Sequence, residues 1–518
     1  MLFNSYVFIF AFLPIVLCVF SLVSKTKTPQ YSIIWLIASS LFFYAWWNPP
    51  YICLILLSIL FNFKVGHFLG KKKSKYILFI GVAINILLIA YYKYANFFVT
   101  NLNEITNSDY HLIKIILPLA ISFFTFQQIA YLIDSYKGQT KDTSFINYCL
   151  FVTFFPQLIA GPIVSHQEIL PQFKEQDKFK LKSSNISIGL TIFILGLFKK
   201  VVFADNIAIY STPIFEAAES GVELSIFEAW GGALAYTFQI YFDFSGYSDM
   251  AIGLARMFGI ILPINFYSPY KATSIIEFWR RWHITLSRFL RDHLYIPLGG
   301  NRKGRIRRYV NLFITMLIGG LWHGAGWTFI LWGGFHGLLL AMNHAWRAVF
   351  KNWSSQNIYF NFILRSLGRL STFIVVVIAW VIFRAKSWDG AKKIYAGMFG
   401  FNGISLPISA EEKIMGFQES LQYFGITFNG MFYNHVFGHN INGILLIIFM
   451  LIVVWFSPNV LELIKGSNPA LGLEKYLVEK KEWIVWKFNM FFAIVLALLS
   501  VICILAIASP SEFLYFQF

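Results

Sequence analysis

Apolar stretches of membrane-spanning length alternate along the chain with short clusters of lysine. Residues 2–23, 31–47, 51–69, 76–99 and 113–133 are almost wholly apolar, and each is close to the roughly 20 residues that one helical crossing requires. Lys25 and Lys27 follow the first stretch, Lys71, Lys72, Lys73 and Lys75 the third, and Lys137 and Lys141 the fifth. Under the positive-inside rule these clusters face the cytoplasm, which puts the N-terminus and the Asn48-Pro49-Pro50 turn outside. The acidic loop with Glu104 and Asp109, after the fourth stretch, fits that alternation. The first stretch has no basic flank before it and no small-residue cleavage site after it, and so reads as a retained span.

The alternation fails at residues 145–164, which have lysines on both sides and contain Phe154-Phe155-Pro156-Gln157-Leu158-Ile159-Ala160-Gly161-Pro162. Two prolines and a glycine break helical hydrogen bonding, and such backbone survives at membrane depth only inside protein or beside a water-filled cavity. A re-entrant segment is predicted here. Residues 185–203 should cross outward to a loop bearing Glu216, Glu219 and Glu223, and 226–241 should return. Asp243 and Asp249 then read as capping and polar-packing groups at the head of a new helix. The arginine-rich stretch 271–308 should be cytoplasmic, with embedded segments at 309–321, 327–346 and 372–383 after it. Residues 390–399 suggest an interfacial helix and 401–440 an external loop. Spans at 444–456 and 486–507 would leave the C-terminus outside.

Composition sharpens this picture. Only 13% of the 518 residues are charged and 57% are hydrophobic, against roughly 25% charged in soluble domains. The prediction is an all-α polytopic integral membrane protein, a single embedded unit over 1–518. Its N-terminal spans occupy 1–135, its core 145–346 and its C-terminal spans 370–518. A transmembrane barrel is excluded because the period-2 alternation is missing. The net charge of +17 lies in clusters between spans, which marks topological anchors and not a nucleic-acid surface. Cys18, Cys53, Cys149 and Cys503 sit in apolar stretches without metal-ligand spacing, so no metal site is expected.

The candidate chemistry centres on Leu321-Trp322-His323-Gly324-Ala325-Gly326-Trp327, where an imidazole lies inside an apolar stretch. A titratable group at membrane depth is a functional-site hypothesis by default, and histidine exchanges a proton near neutrality. A second constellation runs from Glu277 through Trp279, Arg280, Arg281, Trp282 and His283 to Arg288, Arg291, Asp292 and His293. Counted as one amphipathic helix over 275–294 at about 100° per residue, it puts the arginines and acids on one stripe and His283 and His293 among the apolar residues. The stripe suits either lipid headgroups or an anionic thioester donor. The same count, carried 13 residues from His323 to His336, turns through about 220° and puts the two on different faces.

Both histidine stretches, with Ser122-Phe123-Phe124-Thr125-Phe126-Gln127, Tyr131-Leu132-Ile133-Asp134, Phe155-Pro156-Gln157-Leu158-Ile159-Ala160-Gly161-Pro162 and Tyr295-Ile296-Pro297-Leu298-Gly299-Gly300-Asn301-Arg302, carry a resemblance over nearly the whole chain. The chain resembles the membrane-bound O-acyltransferase family, in its bacterial branch that acetylates polysaccharides. The resemblance implies a helical bundle with re-entrant and interfacial helices around a central tunnel, in the bacterial inner membrane. It maps the family's near-invariant histidine onto His323 and the second histidine onto His283. His293 stands where tyrosine is expected in an Arg-Asp-Tyr pattern.

The expected reaction is transfer of acetyl from a cytoplasmic thioester, acetyl-coenzyme A, with His323 as general base and His283 orienting the donor. Trp279, Arg280, Trp282, Trp322 and Asp243 would line the path. The acceptor side would be an extracytoplasmic polysaccharide, alginate-like in first place with peptidoglycan or cellulose behind it, reached through a partner acetyltransferase. No Gly-x-Ser-x-Gly elbow supports a serine nucleophile. The rival class is a flippase for a lipid-linked sugar, which would favour paired broken helices in inverted repeats, and the chain has no convincing repeat.

Overall fold

The computed structural model describes residues 1–26, 28–112, 115–140, 144–159, 161–350, 357–406, 421, 423, 426–428, 441–477, 486–507 and 514. These residues form an almost wholly helical molecule. The first half contains α1 (Phe8–Val23), α2 (Pro29–Ala45), α3 (Tyr51–Lys71), α4 (Lys75–Thr106), α5 (Ile121–Tyr136), α6 (Phe145–Thr153), α7 (Phe155–Leu158), α8 (His166–Lys174) and α9 (Ser183–Glu219). After it come α10 (Ile226–Met257), α11 (Ile275–Arg281), α12 (Ile284–Leu290), α13 (Arg305–His323), α14 (Trp327–Val349), α15 (Ile358–Arg384) and α16 (Trp388–Met398). The described residues end with α17 (Ile441–Phe456), α18 (Val460–Leu463) and α19 (Met490–Ala506). Among them α3, α4, α9 and α15 are long and apolar enough to cross a membrane, and the molecule is a multi-pass membrane protein. Most of the loop expected at 401–440 lies outside the described residues. Two described pieces of it pair as two-residue parallel strands, Ile404–Ser405 with Ile426–Thr427.

The central pillar is α10, 32 residues with nearly every side chain buried. It begins at a capping box: the Ser225 hydroxyl accepts from the Glu228 amide, and the Glu228 carboxylate accepts from the Ser225 amide. The expectation that a helix starts at Asp243 is therefore wrong. Asp243 and Asp249 lie in the middle of α10, where they face α9. There the π-helical stretch Lys199–Ala204 brings two consecutive lysines to α10, with Lys199 Nζ 2.7 Å from Asp249 and Lys200 Nζ 2.5 Å from Asp243. Lys200 also holds Asp205 at 2.8 Å. The helices approach closely because Gly196 and Gly246 lie against each other's backbones, with no room for a Cβ. The sequence expectation ends this span at 203, but α9 continues to Glu219.

The segment read as re-entrant is broken as its prolines require. A nine-residue α6 stops at Phe154, whose backbone is neither helical nor extended, and the one-turn α7 follows. The freed Phe155 amide donates to the Ser40 hydroxyl, and the Gln157 side chain donates to the Phe151 carbonyl. The chain then runs beside α12, where the Ile163 amide donates to Thr285 Oγ1. The Asp134 of the Tyr131-Leu132-Ile133-Asp134 motif pairs with His166, tying α5 to α8.

Candidate functional site

The hairpin of α13 and α14 carries the first histidine. Gly320 on α13 lies against the backbone of Phe329 and Gly333 on α14 with no space for a methyl group, so the two helices pack at backbone contact around the Gly324-Ala325-Gly326 turn. His323 is the last residue of α13 and only 6% exposed. Its ring meets Trp322 at 5.0 Å, Trp332 at 5.1 Å and Phe383 at 5.2 Å, each edge to face. The ring therefore faces protein aromatics and not lipid.

The second histidine reaches the same place by a different route from the one predicted. Residues 275–294 are not one amphipathic helix: α11 ends at Arg281, Trp282 is extended, and His283 has a left-handed backbone with φ of 41° before α12 begins. A wheel loses its phase at that break. His283 is nevertheless fully buried, because the break drives it inward against Phe244 of α10 at 4.8 Å and Trp322 at 6.1 Å. Asn265 fixes its tautomer. Asn265 Nδ2 donates to Ser248, so its Oδ1 is the acceptor facing His283 Nδ1 at 3.1 Å and Thr285 Oγ1 at 2.9 Å. Nδ1 thus carries the hydrogen, and Nε2 carries the lone pair.

His336 completes the group, against the wheel count. That count ran across a turn; in fact His323 and His336 lie on two antiparallel helices, and both pack edge-on against Trp332, at 5.1 and 4.9 Å. Trp279 Nε1, a donor only, lies 3.3 Å from His336 Nδ1. His336 Nδ1 is therefore the acceptor and Nε2 carries the hydrogen. That N–H is buried without a hydrogen-bond acceptor among the described residues. His344 lies elsewhere, two turns further along α14 with Arg308. His293 stacks on Phe289 at 4.7 Å, and Phe289 leads through Phe126 to Trp322.

Of the residues singled out from the sequence, Trp322 lies against both His283 and His323. Trp279 joins through Trp332 and His336, and Trp282 joins through Trp380, 4.9 Å away. Arg280 is exposed. Asp243 is taken up by Lys200 and by the Leu514 amide at 3.2 Å. The arginine stripe is largely spent on protein carboxylates: Arg288 forms a two-pronged pair with Glu168 at 2.5 and 2.7 Å, and Arg281 pairs with Glu277. Sequence reasoning missed Trp332, Trp380, Asn265 and Lys93, and it set His336 on a different face from His323. Of the four missed, Lys93 left a signal, as a cation inside the apolar stretch 76–99.

Comparison with known proteins shows the family. The sequence model of the membrane-bound O-acyltransferase family matches residues 20–378. A peptidoglycan O-acetyltransferase from Helicobacter pylori is 48% identical over 78% of this chain and 81% of its own length. A probable alginate O-acetylase AlgI from Pseudomonas aeruginosa is 41% identical over 84% and 82%. A teichoic acid D-alanyltransferase from Streptococcus thermophilus is 29% identical over 51% and 68%. The matched region includes both histidine motifs, the Asp134 and Pro156 segments and the α13–α14 hairpin, and the chain belongs to the membrane-bound O-acyltransferase family, an acyltransferase.

Proposed function

We propose that this protein transfers acetyl from a cytoplasmic thioester, acetyl-coenzyme A, toward the hydroxyl of a cell-envelope polysaccharide outside the bacterial inner membrane, with His323 as general base. The observation that carries the reading is the meeting of three buried imidazoles, His283, His323 and His336, among tryptophan rings. In the step, an imidazole nitrogen takes the proton of the acceptor hydroxyl. The oxygen then attacks the thioester carbonyl, the carbon–sulfur bond breaks, and the leaving thiolate receives the proton. Products are an acetyl ester and a free thiol. His336 Nε2–H suits the carbonyl oxygen as it gains charge, a kind of donor whose removal costs about 10² to 10³ in rate.

The relatives' names bear on the acceptor. Higher identity to the peptidoglycan-named relative moves peptidoglycan ahead of the alginate-like polymer, and a partner acetyltransferase outside the membrane would complete the transfer. A second reading of the base is favoured by one observation. Asn265 leaves His283 Nε2 as a lone-pair nitrogen, which suits proton abstraction and not carbonyl polarisation.

The test is release of thiol and capture of labelled acetyl by purified protein in liposomes, with acetyl-coenzyme A on one side. His323→Ala should reduce turnover by about 10² to 10⁴ at matched folded fraction. Full turnover in His323→Ala with loss in His283→Ala would transfer the base role to His283. Acceptor transport that persists in both variants, without thiol release, would favour the flippase.

A further inference from the structure

The helix that presents His323 ends without the usual backbone closure. Gly324 leaves α13 in an extended conformation, and the last carbonyls of a helix have no partner within it. Here α4 supplies the partners. Lys93 Nζ donates to the Trp322 carbonyl at 2.6 Å and to the His323 carbonyl at 3.0 Å, and Tyr94 donates its hydroxyl to the Leu321 carbonyl at 2.6 Å. Three consecutive carbonyls, ending at the histidine itself, are thus held by two adjacent residues of the π-helical turn Ala90–Tyr94.

Tyr94 demonstrates that a neutral hydroxyl suffices to satisfy a carbonyl at this helix end. A lysine at membrane depth is far more costly, so capping alone does not account for it. What the amine adds is a bridge: a single nitrogen with several N–H donors spans the Trp322 and His323 carbonyls at once, which the one hydrogen of a hydroxyl cannot do. Both bonds fall on peptide groups flanking His323, so they limit rotation of the backbone from which the imidazole projects.

We propose that Lys93 is a positioning residue for the transfer reaction, holding the Trp322-His323 backbone so that the imidazole keeps its working orientation. The proposal rests on His323 acting as the base. It acts on the chemical step and not on donor binding, because Lys93 bonds to backbone carbonyls of the protein.

The test compares Lys93→Met, Lys93→Arg, Tyr94→Phe and His323→Ala in liposomes, with kcat, KM for acetyl-coenzyme A and thermal stability measured for each. Lys93→Met should lower kcat per folded molecule by up to about 100-fold, the scale of a misplacement near 1 Å, with KM unchanged. Lys93→Arg should recover part of that loss. Tyr94→Phe, which removes one bond from the Leu321 carbonyl and none from the peptide groups flanking His323, should lower stability and leave kcat close to native. Unchanged kcat in Lys93→Met, or a raised KM with intact kcat, would overturn the proposal. If Lys93→Met does not fold, Lys93→Gln carries the same kcat and KM criterion. Inactive His323→Ala beside unaffected Lys93→Met would overturn this inference alone, whereas active His323→Ala would remove the base reading and this one with it.

Discussion

Two seams of this molecule are built alike and loaded differently. The α9–α10 seam and the α13–α14 seam both bring helix backbones together at glycines, Gly196 against Gly246 in one and Gly320 against Gly333 in the other. Both bury polar side chains. At α9–α10 those are full charges matched across the interface, Lys199 with Asp249 and Lys200 with Asp243 and Asp205. At α13–α14 they are imidazoles set among aromatic rings, with His283 brought in from outside the hairpin. Matched charges consume each other's capacity and fasten the helices in register. A neutral imidazole in an aromatic setting still has a proton to give or take. Depth alone, then, does not tell the two seams apart; the chemistry of the neighbours does.

The sharpest way to break this comparison is to strand a charge in the first seam. Lys199→Met should destabilise the protein by about 3–5 kcal/mol, the cost of an uncompensated buried partner. Adding Asp249→Leu should restore most of it, since replacing a whole buried pair with apolar groups is often neutral. Denaturant or thermal unfolding in detergent measures both, and an additive loss in the double variant would mean that the two residues are not a pair. Next in size is the glycine contact. Gly320→Ala should cost about 1–3 kcal/mol through overpacking, while Gly334→Ala, whose added methyl meets Leu317 at an ordinary 3.4 Å, should be tolerated. Equal melting temperatures for the two would remove the backbone-contact argument.

The smallest effect concerns the arginine stripe. Burial pushes the Glu277 carboxyl up, but the Thr273 amide and hydroxyl and the Arg281 guanidinium outweigh it and hold the group below the usual glutamate range. A depressed folded pKa contributes stability that is full above the unfolded value near 4.3 and is lost as pH falls through the folded value. Glu277→Gln should therefore narrow the stability gap between neutral and acid pH by less than about 1 kcal/mol, given its partial exposure. A wider gap would reverse the sign of the account.

The sequence was most legible where one element could be judged alone. Apolar length and lysine placement reveal an all-helical membrane bundle, the prolines at 156 and 162 predict the break there, and a histidine beside Gly324 and Trp327 stands out without any partner. Legibility failed where a second element decides. The helix through 275–294 is interrupted because His283 adopts a left-handed backbone held by Asn265 bonds to its ring and to Thr285, and neither is visible in a periodicity. Asp243 looks like a cap until Lys200 is seen opposite it. His336 looks remote until α13 and α14 fold back on each other. Lys93 escapes a reading that takes lysines as loop markers, because it lies within a span.

If the histidine seam carries the proposed transfer and the charged seam only fastens the helices, acetyl transfer per folded molecule in liposomes separates them, with His323→Gln set against the Lys199→Met/Asp249→Leu double variant. His323→Gln should fall to about 1% of native turnover or below with unchanged melting, while the double variant stays close to native. Turnover that survives in His323→Gln and collapses in a well-folded double variant would contradict that division.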